Sequence, residues 1–166
     1  MAQFKLKGNT FNTLGAMPAV GAAAPAFSVT RTDLSNVGAA DFAGKRIVLN
    51  IFPSIDTDVC AASVRRFNAE AGKLADTVVL CVSMDLPFAL KRFCGAEGLD
   101  NVVTTSDFRD GNFGRAYGVR IADGPLAGLL ARSVVVVGKD GKVIHSQLAP
   151  ETAEEPDYAA VLKALR

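Results

Sequence analysis

The chain has 166 residues, 49% of them hydrophobic and 21% charged, with a net charge of +1. That length and apolar content suit a single domain, residues 1–166, with a real core, and the balanced charge argues against a basic nucleic-acid stripe or an acidic disordered tail. No apolar run approaches the roughly 18 residues of a membrane span, and the alternating start MAQFKLKGNTF lacks the apolar stretch of a signal peptide. The expected location is the cytoplasm, with a periplasmic one left open.

In chain order, QFKLKG and TFNTLG flank Gly8 and Asn9, a hairpin signal. Residues 27–30 read as a short strand after Pro25. Residues 46–52 form a continuous apolar run closed by Pro53, the pattern of a strand buried on both faces. From Cys60 the period changes. Cys60, Val64, Phe67, Ala71 and Leu74 share one helical face, with Thr57 or Asp58 as N-cap. Residues 77–84, which include Cys81, read as a second buried strand. A second helix follows Pro87 and runs to Cys94 or Ala96, with Gly95 and Gly98 as its stop.

Residues 101–106 are a third strand, and NFGRAYGV is a short helix or turn. SVVVVGKDGKVIHSQ reads as a hairpin about Gly-Lys-Asp-Gly. Pro156 opens a final helix whose apolar face is Tyr158, Val161, Leu162 and Leu165. Strands alternating with helices imply βαβ crossovers and a parallel stretch of sheet, to which the hairpin adds antiparallel strands. The expected class is α/β: a thioredoxin-like fold with a central mixed β-sheet flanked by helices and an N-terminal β-hairpin extension.

The chain has three cysteines and no C-x-x-C pair. An odd, low count does not describe a secreted disulfide framework. Cys81, between Leu80 and Val82, reads as a small buried hydrophobe. Cys60 falls in the first turn of a helix, where unpaired amides and the positive end of the macrodipole favour a thiolate. It is also in phase with the buried stripe, so a packing role stands beside a reactive one. The polar residues Ser54, Asp56, Thr57 and Asp58 just before it favour the reactive one. Cys94, near a helix end rich in glycine, either packs under Phe93 or moves to meet another sulfur. Arg132, just before SVVVV, reads as a surface arginine, although sheet pairing could bring it to the end of the 46–52 strand.

The stretches FPSIDTDVC, AASVRRFN, DLPFALKRFCGAEGL, AYGV, IADGPLAGLLARSVVVV and EPDYAAVLKAL together resemble the bacterial thiol peroxidases, an atypical two-cysteine peroxiredoxin subfamily, over nearly the whole chain. The resemblance implies that Cys60 is the peroxidatic cysteine and Cys94 the resolving one, joined in a redox disulfide during turnover. It implies that Thr57 bonds the thiolate and orients the peroxide, that Pro53 shields the site, and that Arg132 stabilises the thiolate and polarises the peroxide. It further implies hydrogen peroxide and alkyl or lipid hydroperoxides as substrates, thioredoxin as reductant, a homodimer and an antioxidant role.

Other readings stand beside it. A cysteine-histidine hydrolase would need the only histidine, His145, as a base near Cys60. A redox sensor would use the same sulfur chemistry stoichiometrically. Three scattered cysteines and one histidine have no metal-ligand spacing, so neither a metal nor a cofactor is expected. Phe88 is a candidate for an apolar wall beside the site.

Overall fold

The computed structural model describes residues 1–166. At the N-terminus β1 (Gln3–Leu6) and β2 (Asn9–Asn12) pair antiparallel with Leu6 opposite Asn9. The turn is therefore Lys7 and Gly8, both at positive φ (51° and 80°), one residue earlier than the sequence suggests. Two left-handed residues in succession give a hairpin turn whose twist matches its strands. Glycine takes the second of these positions rather than the first.

Seven further strands form one mixed sheet: β3 (Val29–Arg31), β4 (Asn36–Val37), β5 (Arg46–Ile51), β6 (Thr77–Ser83), β7 (Val103–Ser106), β8 (Ser133–Val137) and β9 (Val143–Leu148). Their spatial order is β4-β3-β7-β6-β5-β8-β9. β5, β6 and β7 are parallel neighbours, while β3, β8 and β9 pair antiparallel. Helix α1 (Asp58–Ala71) crosses from β5 to β6, and α2 (Pro87–Glu97) from β6 to β7. A short α3 (Asn112–Ala116) and a terminal α4 (Tyr158–Ala164) complete the layers.

Alternate residues of the central strands serve opposite faces of the sheet. Leu49, Ile51, Leu80 and Val82 pack with Phe113 and Tyr117 of the α3 region. Val48, Val79 and Cys81 pack with Cys60, Val64 and Phe67 of α1, Leu90 of α2 and Val161 of α4. The helical stripe that begins at Cys60 is thus a true core face.

Two boundaries differ from expectation, and two short elements are additional. α2 continues through Gly95 to Glu97 and ends at Gly98, whose left-handed backbone (φ 65°) returns its N–H to the Cys94 carbonyl. A glycine inside a helix weakens it without ending it, whereas a glycine that can turn left-handed caps it. Cys94 therefore lies in the last helical turn. α4 begins after Asp157, whose carboxylate accepts from the Ala160 N–H at 3.0 Å, and not at Pro156. The two-residue β4 and a 3-10 turn at Ala39–Phe42 were too short to leave a periodic trace in the sequence.

Candidate active site

Strand β5 carries the chain to the C-terminal edge of the parallel sheet, where Phe52 and Pro53 are still buried. Residues 54–57 then turn into α1. Thr57 is the N-cap, so Cys60 is the third residue of the helix. Its side chain points inward and is fully buried.

Arg132 meets it there. β8 runs antiparallel to β5 with Ser133 opposite Ile51, which sets Arg132 just beyond the end of β5. Arg132 Nη2 donates to the Cys60 sulfur at 3.2 Å, and Nε donates to the Thr152 carbonyl at 2.9 Å. Nη1 is buried and has no protein partner. Arg132 is 3% exposed, so the reading of a surface arginine is overturned. A buried guanidinium is costly unless it is paired. None of the ion pairs of the molecule includes it, and the group facing it is the sulfur.

Nothing in the sequence marks Thr152, whose carbonyl holds Arg132 Nε. Its N–H and hydroxyl both donate to the Lys5 carbonyl, at 2.8 and 3.0 Å, so the N-terminal hairpin braces the arginine through one intermediate residue. More than 140 positions separate Lys5 from Thr152, and no local pattern announces such a contact.

Thr57 is exposed, and its hydroxyl donates to the Ser54 carbonyl at 3.0 Å. It makes no hydrogen bond to Cys60 here, unlike the thiolate contact that the resemblance implies. With its proton engaged, the hydroxyl oxygen keeps lone pairs free to accept. Asp56 and Asp58 are exposed while the sulfur is buried; Asp56 lies 3.5 Å from Arg92. Asp58 occupies the first turn of α1, where a carboxylate complements the helix dipole.

A cavity of about 300 Å³ lies over this cluster. Its apolar wall includes Leu6, Pro53, Val59, Leu126 and Leu129, and Thr57 and Arg132 also line it. Phe88 is not part of the wall; it is 67% exposed at the start of α2.

Cys94 stands elsewhere. It is half-buried, with its sulfur 3.6 Å from the Thr104 hydroxyl, and it lines a separate cavity of about 380 Å³ with Arg31, Lys91 and Leu99. Burial pushes its thiol pKa up. Cys60 and Cys94 are both free thiols in this structure. Cys81 is fully buried, accepts from the Asn50 side-chain amide at 3.7 Å, and has its pKa pushed up to about 12 by burial. His145 pairs with Val136 in the β8–β9 ladder and shares a 2.9 Å hydrogen bond with Gln147. The group at the Cys60 sulfur is an arginine, which removes the geometric basis for a cysteine-histidine pair.

A Redoxin family model matches residues 19–162. Thiol peroxidase of Mycobacterium tuberculosis (strain ATCC 25618 / H37Rv) is 59% identical to this chain over 165 residues, 99% of each protein. The chain belongs to the thiol peroxidase family. As a member it is a peroxiredoxin-type oxidoreductase with a thioredoxin-like fold. A crystal structure of a peroxiredoxin-like protein from Aquifex aeolicus superposes with a TM-score of 0.92 at 39% identity, covering 99% of this chain and 96% of that one. Thiol peroxidase from Chromobacterium violaceum superposes at 0.90, over 98% and 94% of the chains, and at 21% identity shares the fold.

Proposed function

We propose that this thiol peroxidase family member reduces hydrogen peroxide and organic hydroperoxides through Cys60, resolves the product with Cys94, and is recycled by thioredoxin. The observation that carries the reading is the Arg132–Cys60 contact, with a second buried guanidinium nitrogen left free beneath an apolar cavity.

In the first step the Cys60 thiolate attacks the terminal peroxide oxygen. A sulfur–oxygen bond forms and the O–O bond breaks. The sulfur is oxidised by two electrons to a sulfenic acid, and the leaving alkoxide or hydroxide takes a proton to become alcohol or water. Arg132 Nη1 donates to the peroxide and stabilises the charge that develops on the breaking bond, as in an oxyanion site. The Thr57 oxygen accepts from the peroxide O–H, and Pro53 limits water at the sulfur. In the second step the Cys94 thiol condenses with the sulfenic acid, releasing water and leaving a Cys60–Cys94 disulfide. A dithiol reductant, thioredoxin, then returns both cysteines to thiols and is itself oxidised.

In the reduced form the Cys60 sulfur is fully buried at the start of α1 and lines no cavity, whereas Cys94 faces a cavity beside the end of α2, and a disulfide needs Cα atoms within about 4.4–6.8 Å. Unwinding at the end of α2 therefore belongs to the cycle. No helix is long and apolar enough to cross a membrane. A cytoplasmic antioxidant role and a homodimer complete the proposal; the exposed Leu86 and Phe88 offer apolar surface for assembly.

Thioredoxin-coupled turnover of hydrogen peroxide and cumene hydroperoxide tests the reading. The wild-type protein turns over continuously, Cys60→Ser is inactive, and Cys94→Ser consumes about one equivalent and stops. Stoichiometric oxidation of the wild type without turnover would establish a sensor instead.

A further inference from the structure

A carboxylate outside the cluster organises the turn in front of Cys60. Asp85 lies two residues past the end of β6, the parallel neighbour of β5, in the loop that leads to α2. Its two oxygens take three hydrogen bonds, each at 2.7 Å: Ser54 Oγ on Oδ1, and the Ile55 N–H and Ser83 Oγ on Oδ2. Asp85 enters none of the ion pairs of the molecule, so these donors are its stabilising partners.

The bonds continue beyond the carboxylate. With its proton given to Asp85, Ser54 Oγ accepts from the Asp56 N–H at 3.2 Å. The Ser54 carbonyl accepts from the Thr57 N–H at 3.2 Å and from the Thr57 hydroxyl at 3.0 Å. Each residue from 54 to 57 is thereby tied, directly or through Ser54, to one charged group just beyond the end of a core strand. Charge-assisted bonds are shorter and stronger than neutral ones, and a carboxylate with three donors fixes both position and rotation.

We infer that Asp85 is a positioning residue for peroxide attack, acting through Ser54 to aim the Thr57 hydroxyl and seat the first turn of α1. The inference rests on the proposed roles of Cys60 and Thr57. Asp85 touches neither the sulfur nor the cavity that receives the peroxide. Its effect is on alignment: attack needs the O–O bond in line with the sulfur, whereas alkylation of the same sulfur needs only its charge and access. Misalignment by an ångström in such sites costs about 10²-fold in rate.

The experiment follows the rapid reaction of the reduced protein with hydroperoxide and, on the same samples, the pH profile of Cys60 alkylation by iodoacetamide. Asp85→Asn, Ser54→Ala and the double variant are compared. Each single variant is expected to lower the second-order peroxide rate constant by about tenfold to a hundredfold. The double variant should be no slower than the slower single one, because both act through one chain of bonds. The midpoint of the alkylation profile should stay where it is in the wild type.

A wild-type peroxide rate in Asp85→Asn, fully additive losses, or parallel losses in both reactions would each overturn the inference. If Asp85→Asn does not fold, Ser54→Ala decides alone, since it keeps the Ile55 and Ser83 bonds to the carboxylate; an unchanged peroxide rate there rejects the relay. Cys60→Ser is run alongside. Turnover in that control would reject the Cys60 reading itself, a result separable from any of the Asp85 outcomes.

Discussion

Arg132 Nη2 sits 3.2 Å from the Cys60 sulfur, while Nε of the same guanidinium is tethered to the Thr152 carbonyl at 2.9 Å. Two fixed points on a planar group determine where its remaining nitrogen points. A lysine would keep the charge but not the fork. Arg132→Lys is therefore expected to lower kcat/KM for any hydroperoxide by about 10²–10³-fold, the usual cost of a lost transition-state donor. Circular dichroism should show the fold retained. Turnover within a few-fold of wild type would mean that charge alone, and not geometry, serves the reaction.

The cavity over the site makes a prediction about substrate size. Leu129 forms part of its apolar wall. Shortening it to serine removes a surface that an alkyl or aryl group can bury, but not one that hydrogen peroxide needs. Leu129→Ser is expected to lower kcat/KM for cumene hydroperoxide about tenfold while leaving that for hydrogen peroxide nearly unchanged. Equal losses for both substrates would point to a disturbed site instead of a lost binding surface.

Much of this arrangement was legible in the sequence, and the reasons are local. An apolar run ending at Pro53 and a helical stripe starting at Cys60 are short-range patterns, so the strand, the turn and the placement of the sulfur followed from them. Composition and periodicity alone put Arg132 on the surface, because an arginine is exposed unless something far away pairs with it; only the family resemblance points to its partner, 72 positions distant. Thr152 and Asp85 escaped for the same reason. One acts through a backbone carbonyl and the other through a strand end, and neither carries a motif that periodicity can detect.

Cys81 supplies a pH-dependent test of the core. Its pKa is raised from 9.0 to about 12 by burial. Below about pH 9 both folded and unfolded chains hold the proton, and the thiol adds no pH dependence. As pH rises from 9 towards 12 the unfolded chain loses the proton and the folded one keeps it, so stability falls across that window. Cys81→Ala removes this contribution. Its urea midpoint should fall less between about pH 8 and about pH 10.5 than that of the wild type, with peroxidase turnover essentially retained. Identical slopes would show that Cys81 is not the buried neutral thiol described here.

The last prediction concerns the step that joins the two sulfurs. Arg65 of α1 meets Glu97 of α2 through paired hydrogen bonds at 2.9 Å, and its guanidinium also covers the Phe93 ring, 5.6 Å from the centroid. Phe93 and Glu97 flank Cys94 in the final turns of α2. If α2 unwinds to carry Cys94 to Cys60, as proposed, its last turns would release these contacts, which hold the wound form. The ion pair is exposed, which keeps its contribution small and makes it salt-sensitive. Glu97→Gln should therefore speed condensation of the Cys60 sulfenic acid with Cys94 by about two- to fivefold, without changing the preceding peroxide step. Raising the salt concentration should narrow the difference between variant and wild type. Rapid-mixing fluorescence or quenched-flow thiol trapping separates the two steps, and an unchanged condensation rate would mean that α2 does not need to release Arg65 for the disulfide to form.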